Sequence, residues 1–501
     1  MHRREFLRGV SGAVALASAG VASAAETTTA HPGPYRPLGS VSITNAKEAV
    51  PDPSGKFAYV ATTGGFATVD VQIPSEPQVV FEKRELLADR ETGPLRMIQD
   101  VKVDGDRLVA AGPANPIQGD VLQGFLLYDV SDPADPQQVA FYETEFPIHN
   151  CFVRDGIVYL TGNGSETNAL VMVDVSDGTP EEVGRWSPAD RDQTWTEVPS
   201  GLWTLHDVWV QDGRAYLPHW DAGTYVVDVS DPANPQFLTR IGGRPLEELR
   251  GVPAEQARAQ VIRLPGNAHY AMANDDGTLL GINKEAWEAD GQGGPGSVQL
   301  WDVSNVDDPR RLSTIDAPPS PDPTVGGTWT TSHNFDIVGD RLFTSWYQGG
   351  VKIHDISDPA NPERLAWWRE PEQTSFWTAK RTTPQFFVAS SMGRRSNGKG
   401  GLYTFPIEDA TNSPQKDPPS LTPTAEESTT RTATPTETTT EQAAFSGETT
   451  TNESHSDSSA GGRPRIRGSR RTRRAPRGGR VARDPELNPK SYHPVAPTPS
   501  Q

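Results

Sequence analysis

The chain has 501 residues, 35 % of them hydrophobic, with 46 Gly, 45 Pro and a formal net charge of −19. An acidic surface of this kind argues against nucleic acid or anionic lipid as a partner and suits a protein adapted to high salt. Cys151 is the only cysteine, which excludes an intramolecular disulfide and marks an inert core thiol inside a strand pattern.

Residues 1–24 read as a targeting segment. Arg3-Arg4-Glu5-Phe6-Leu7 precedes the weakly apolar run Gly9 to Val21, and Ala22-Ser23-Ala24 offers a small-residue cleavage site. The paired arginines followed by Phe-Leu resemble a twin-arginine export signal, which implies an extracellular or cell-surface location. The apolar run is too short to span a bilayer.

From residue 36 to residue 410 one pattern recurs. Seven segments alternate aliphatic and aromatic residues: FATVDV (66–71), FLLYDV (125–130), LVMVDV (170–175), TYVVDV (224–229), VQLWDV (298–303), VKIHDI (351–356) and GLYTFPI (401–407). Most continue into an Asp-Val-Ser-Asp-Pro or similar turn, whose aspartates are expected to be structural. The stretches 206–235 and 332–362 are near-copies of one another, each a strand opened by His, a Gly-Asp or Asp-Gly turn, two further strands and Ser-Asp-Pro-Ala-Asn-Pro. A further strand follows each such turn, as at Phe237 and Leu365. Four antiparallel strands repeated seven times predict an all-β, seven-bladed β-propeller. The seventh blade, with three strands over 377–406, runs out of chain, and Pro37–Thr44 is expected to supply its fourth strand from the N-terminus and close the ring.

Residues 411–460 are Thr, Ser, Glu and Pro, read as a disordered stalk for envelope attachment, and 461–501 turn into a basic disordered tail. Ten arginines between Arg463 and Arg483 lie in that tail, so the remainder carries about −29.

The third-strand repeats, with LVMVD at 170–174 and the DVSDPANP turn, resemble the LVIVD-repeat propeller family over roughly residues 36–410. The resemblance implies the fold and leaves the activity open, since propellers host many unrelated functions.

Insertion lengths select one face. The segments 111–123, 187–205, 242–267, 281–297 and 317–332 all join strands on the same side of the ring, whereas the connections on the other side are tight turns. Aligning the blades on their first strand puts Glu48, Gln99, His149, His206, His269, His333 and Trp377 at one position, the start of the innermost strand on the long-insertion side. His149, His206, His269 and His333 therefore converge on the axial mouth, where neutral imidazoles can ligate iron, copper or zinc. Glu48 and Gln99 are candidates for a further ligand or a hydrogen bond to an imidazole. Asn150, Asp207 and Asn334 point the other way along the strand and are expected to bond backbone or neighbouring blades. His219, Trp220, Trp346, Tyr347 and Trp377, with Trp195, Trp203 and Trp329, are expected to line an apolar substrate rim, while His354 is expected to be exposed.

An all-histidine site on a seven-bladed propeller is similar in geometry to the iron site of carotenoid-cleaving oxygenases and the copper site of the selenium-binding-protein family, without their wider sequence patterns. Two functions follow. One is an exported metal-dependent oxidoreductase or hydrolase acting on a small molecule. The other is a metal-free surface module binding a protein or glycan through the long-insertion face.

Overall fold

The computed structural model describes residues 35–163, 167–394 and 399–407. The expected targeting segment, the stalk and the basic tail lie outside the described residues, and among the described residues no helix is long and apolar enough to cross a membrane.

Seven four-stranded antiparallel sheets follow one another along the chain. Blade one comprises Ala49–Pro51, Phe57–Ala61, Gly65–Asp70 and Gln78–Arg84, and blades two to six repeat that order. Blade seven takes Lys380–Arg381, Phe386–Ser391 and Gly401–Pro406 from the end of the repeat region and Gly39–Ser42 from its beginning. Gly39 pairs with Thr404 and Ser42 with Gly401, so the last blade's outer edge is covered by a strand distant in sequence.

The alternation of each third strand explains why the ring holds together. In blade two, Leu126 and Tyr128 pack with Phe66 of blade one, while Phe125 and Leu127 pack with Leu160 and Val171 of blade three. Successive side chains of one strand thus feed two different interfaces, and apolar clusters fill all seven junctions between blades. Each fully enclosed Leu, Val or Phe contributes roughly 1.5–3 kcal/mol.

The turn after each third strand is equally regular. Asp70, Asp129, Asp174, Asp228, Asp302 and Asp355 each accept the backbone N–H two residues on, at 2.8–3.0 Å. These aspartates are the structural residues their position predicts. In the same six blades a bulge lies in the pairing of third and fourth strands, as between Val226 and Val227, and turns the outer strand away from flat edge pairing.

Candidate functional site

The first strands carry their histidines on irregular backbone. A bulge between Ile148 and Cys151 brackets His149, and another between Ala268 and Ala271 brackets His269. His206 and His333 precede the regular parts of their strands, held by His206 N–H to the Pro218 carbonyl at 2.9 Å and His333 N–H to the Ser345 carbonyl at 3.0 Å. A bulge at a channel mouth re-aims a side chain, and here four imidazoles are aimed at one place.

Their rings form a continuous arc. Centroids are 4.2 Å apart for His149 and His206, 3.8 Å for His206 and His269, and 4.6 Å for His269 and His333. All four are 9 % exposed or less. Burial, first of all, holds His149 down to about 4 and His206 and His333 well below the ordinary imidazole value, with neighbouring imidazoles adding to the effect. These three rings are therefore neutral at pH 7.

The proton positions of those rings follow from their partners. Nδ1 of His149 lies 2.8 Å from the Ala114 carbonyl, that of His206 3.1 Å from the His269 carbonyl, and that of His333 2.6 Å from the Trp377 carbonyl. A carbonyl only accepts, so Nδ1 carries the proton in each and Nε2 keeps its lone pair. A backbone acceptor on the distal nitrogen is also what fixes tautomer and orientation in metal-bound imidazoles.

His269, in the middle of the arc, differs. Its Nδ1 lies 3.1 Å from a carboxylate oxygen of Glu285, yet neither ring nitrogen makes a well-formed hydrogen bond, although the residue is 1 % exposed. Glu285 enters from the insertion of blade five, just past the Ala268–Lys284 pair that ends the hairpin, which brings it beside His269. Its other oxygen accepts the Tyr347 hydroxyl. Burial works to raise the Glu285 carboxyl, but His269, His333 and Tyr347 outweigh it and bring it down to about 2.

His206, His269 and Glu285 each offer one ligand atom within 4.8 Å of the others. Three donors sharing one ion at ~2.0–2.2 Å stand roughly 3.3–3.8 Å from one another, so side-chain shifts of about an ångström close the set. A buried imidazole between an ionised carboxylate and lone-pair nitrogens is part of a donor set suited to a transition metal.

Aromatic residues cover the arc. Trp220 stacks on His206 at 5.9 Å, Tyr347 lies 4.9 Å from His333, and Trp377 lies 4.2 Å from His333. Trp220 and Tyr347 occupy the same turn in blades four and six. Both have positive φ, 34° and 47°, and both bridge to the residue before the next blade's axial position, Ala268 and Phe376. Bulky side chains rarely adopt this conformation, and the inter-blade pairing is what holds it.

Other expected site residues lie elsewhere. The carboxylate of Glu48 goes to the Asn334 amide at 2.9 Å, the Thr378 hydroxyl at 3.3 Å and Lys102 at 3.9 Å rather than to an imidazole. The Gln99 carbonyl accepts the Glu48 N–H at 3.2 Å. His219 ends a strand inside the core, fully buried, with Nδ1 on the Trp203 carbonyl at 3.0 Å, so it lines no substrate rim. Trp346, likewise 0 % exposed, packs between blades five and six, and Trp195 and Trp203 pack into the core beneath the 187–205 insertion. His354 is 4 % exposed, not at the surface, because it faces an inter-blade junction.

The residues after the histidines tie blades together as expected. Asn150 donates to the His206 carbonyl at 3.0 Å and to Asp207 at 2.8 Å, and Asn334 reaches Glu48 of blade one. They belong to a buried polar belt in which Asp100 pairs with Lys102 and Lys380 donates to the Tyr270 hydroxyl at 3.0 Å. Burial alone lowers the Lys102 amine, but Asp100, Glu48 and Asp207 hold it above its ordinary value.

Comparison with known proteins agrees with this architecture. The model of the LVIVD repeat matches residues 53–83 and 205–241, within blade one and around blade four. No curated protein matches the chain. Among solved structures, the Cps50 (Swd1) β-propeller domain of Myceliophteria thermophila aligns with a TM-score of 0.50 at 10 % identity, over 74 % of this chain and 99 % of that one. U3-55K aligns with a TM-score of 0.49 at 11 % identity, over 75 % of this chain and 100 % of that one. At such identity the Cps50 likeness is one of fold alone. The chain is thus a seven-bladed β-propeller in which two segments match the LVIVD repeat.

Proposed function

We propose that the axial cluster is a transition-metal site, with His206, His269 and Glu285 as its donors and His149 and His333 flanking them. The observation that carries this reading is His269, whose two ring nitrogens are buried without a well-formed hydrogen bond between Glu285 and the Nδ1-anchored His206. Leaving a buried ring nitrogen unsatisfied costs about 1–3 kcal/mol, and a cation on its lone pair removes that cost. Imidazole and carboxylate donors together suit iron or zinc and accept copper.

The chain's own residues prepare the site. The Ala114, His269 and Trp377 carbonyls fix the tautomers of three imidazoles, and Tyr347 orients Glu285. Trp220, Tyr347 and Trp377 keep water from the arc. A bound ion supplies Lewis acidity or one-electron chemistry, and the reading is therefore a metal-dependent oxidoreductase or hydrolase acting on a small molecule. Export by the twin-arginine route belongs to the same reading and rests on Arg3-Arg4-Glu5-Phe6-Leu7.

A second reading has its own support. The insertions 187–205 and 242–267 build helical segments on the long-insertion side, including Leu246–Arg250 and Ala254–Val261, which suits a metal-free module docking a protein or glycan. Elemental analysis of untagged protein separates the two. Near-stoichiometric metal that is lost in Glu285→Gln and in His206→Ala with the fold intact supports the site; metal-free wild-type protein, also after incubation with Fe(II), Zn(II) or Cu(II), overturns it.

A further inference from the structure

Blade six carries a second cluster of chemistry-bearing side chains, on the flank packed against blade five and away from the histidine arc. Strand pairing sets Lys352 opposite Trp367 and His354 opposite Arg364, and Arg369 follows the end of the strand Glu363–Trp368. Three cations gather round the Trp367 ring: Arg369 at 4.5 Å from its centroid, Lys352 at 5.0 Å and Arg364 at 5.2 Å. Lys352 also lies 4.3 Å from the centre of Trp346.

Lys352 and Arg369 are poorly matched by anions. Lys352 is 6 % exposed, and its amine donates to the Asp316 carbonyl at 3.1 Å, a neutral acceptor. Nε and Nη1 of Arg369 and Nδ1 of His354 are buried without a hydrogen-bond partner. No ion pair to a carboxylate involves Lys352, His354 or Arg369 among the described residues. The Asp316 side chain, itself exposed, exerts only a weak opposing attraction on Lys352. Burial lowers the Lys352 amine to about 7, with Arg364 and Arg369 adding their repulsion, and burial lowers Arg369 to about 10.

In a chain of net charge −19, three positive side chains around one ring, with orphaned guanidinium nitrogens, are a costly arrangement that an anion would reverse. Trp367 is 3 % exposed and donates its own Nε1–H to the Gly349 carbonyl at 2.8 Å, so its ring backs the cluster, while Arg364 and Arg369 are only half-buried and give access from solvent. Guanidinium groups favour oxyanions over halides because their N–H donors match oxygen geometry.

We propose that this cluster binds a tetrahedral oxyanion, sulfate or phosphate, with Arg369 as its principal hydrogen-bond donor and Lys352 and Arg364 as the surrounding positive charge. The oxyanion is either the free inorganic ion or an ester group on a larger molecule, and the site is independent of the metal reading.

Calorimetric titration of the full chain with sodium sulfate and sodium phosphate at millimolar concentration, in a HEPES–chloride buffer of fixed ionic strength, tests the proposal. Saturable binding is expected, weakened at least tenfold in Arg369→Gln and in Arg364→Gln and largely restored in Arg369→Lys. Millimolar concentrations keep the general stabilising action of these salts out of the measurement. Methyl phosphate and a monosaccharide sulfate form the second arm. Tighter binding of an ester assigns the site to a larger ligand, and equal or weaker binding assigns it to the free ion. No saturable binding by wild-type protein, or equal binding by the Arg369→Gln variant, overturns the proposal.

Discussion

Replacing Lys352 by methionine tests the electrostatics of blade six. The side chain is sandwiched between Trp346 and Trp367, and its amine, lowered to about 7 by burial first and by Arg364 and Arg369 next, is only partly protonated inside the fold near pH 7 when no anion is bound. In the unfolded chain a lysine titrates near ~10.4, so between pH 7 and about 10.4 the unfolded state binds more protons and stability rises with pH. Below pH 7 the whole penalty is present. The pKa difference corresponds to roughly 4–5 kcal/mol as an upper bound, which relaxation and an effective dielectric near ~20 reduce to about 2–3 kcal/mol. Methionine keeps the length and apolar stem without the charge. In sulfate- and phosphate-free buffer, urea unfolding followed by tryptophan fluorescence should show Lys352→Met more stable than wild type by about 2–3 kcal/mol at pH 6, with the gap nearly closed at pH 10. A gap that is the same at both pH values, or a variant less stable at pH 6, refutes the reasoning. Lys47 and Lys284, both lowered to about 8 by burial, are common to both proteins and drop out of the difference.

Three further outcomes follow from the packing. A methyl group on Gly281 would come within 2.6 Å of Cε2 of Phe335 at the junction of blades five and six, so Gly281→Ala should cost about 1–3 kcal/mol, read as a lowered urea midpoint. A side chain on Gly39 would meet the Ser75 carbonyl at 2.6 Å; Gly39→Val should unseat the closing strand, lower the melting temperature and promote aggregation in light scattering. Cys151 is 0 % exposed and its thiol is raised by burial and by Asp100, so it should resist a disulfide reagent at pH 8 in the native protein and react fully in urea.

Much of this architecture was legible because the repeat writes each blade twice over, once in its alternating third strand and once in its turn. Aspartates such as Asp228 and Asp355 mark turns whose backbone N–H groups their carboxylates accept. The axial register was readable for the same reason, since His149, His206, His269 and His333 recur one blade apart. Glu285 was not readable, because it lies in the stretch 281–297, read as an insertion outside the repeat; the structure extends the hairpin to the pairing of Ala268 with Lys284, and this brings Glu285 beside His269. His354 and Trp346 were misread for a different reason. In a propeller both faces of a blade pack on neighbours, so proximity to a turn or to a Trp-rich stretch says little about exposure. His354 precedes a solvent-facing aspartate and is nonetheless enclosed.

The proposed site has His206, His269 and Glu285 gripping one ion. Crystals of untagged protein soaked in Zn(II) or Fe(II), with diffraction collected on both sides of the metal absorption edge, test it most directly. One strong anomalous peak is expected at ~2.0–2.2 Å from a nitrogen of His206, a nitrogen of His269 and a carboxylate oxygen of Glu285. An arc without anomalous density at full soaking, with the Glu285–His269 pair unchanged, would contradict it.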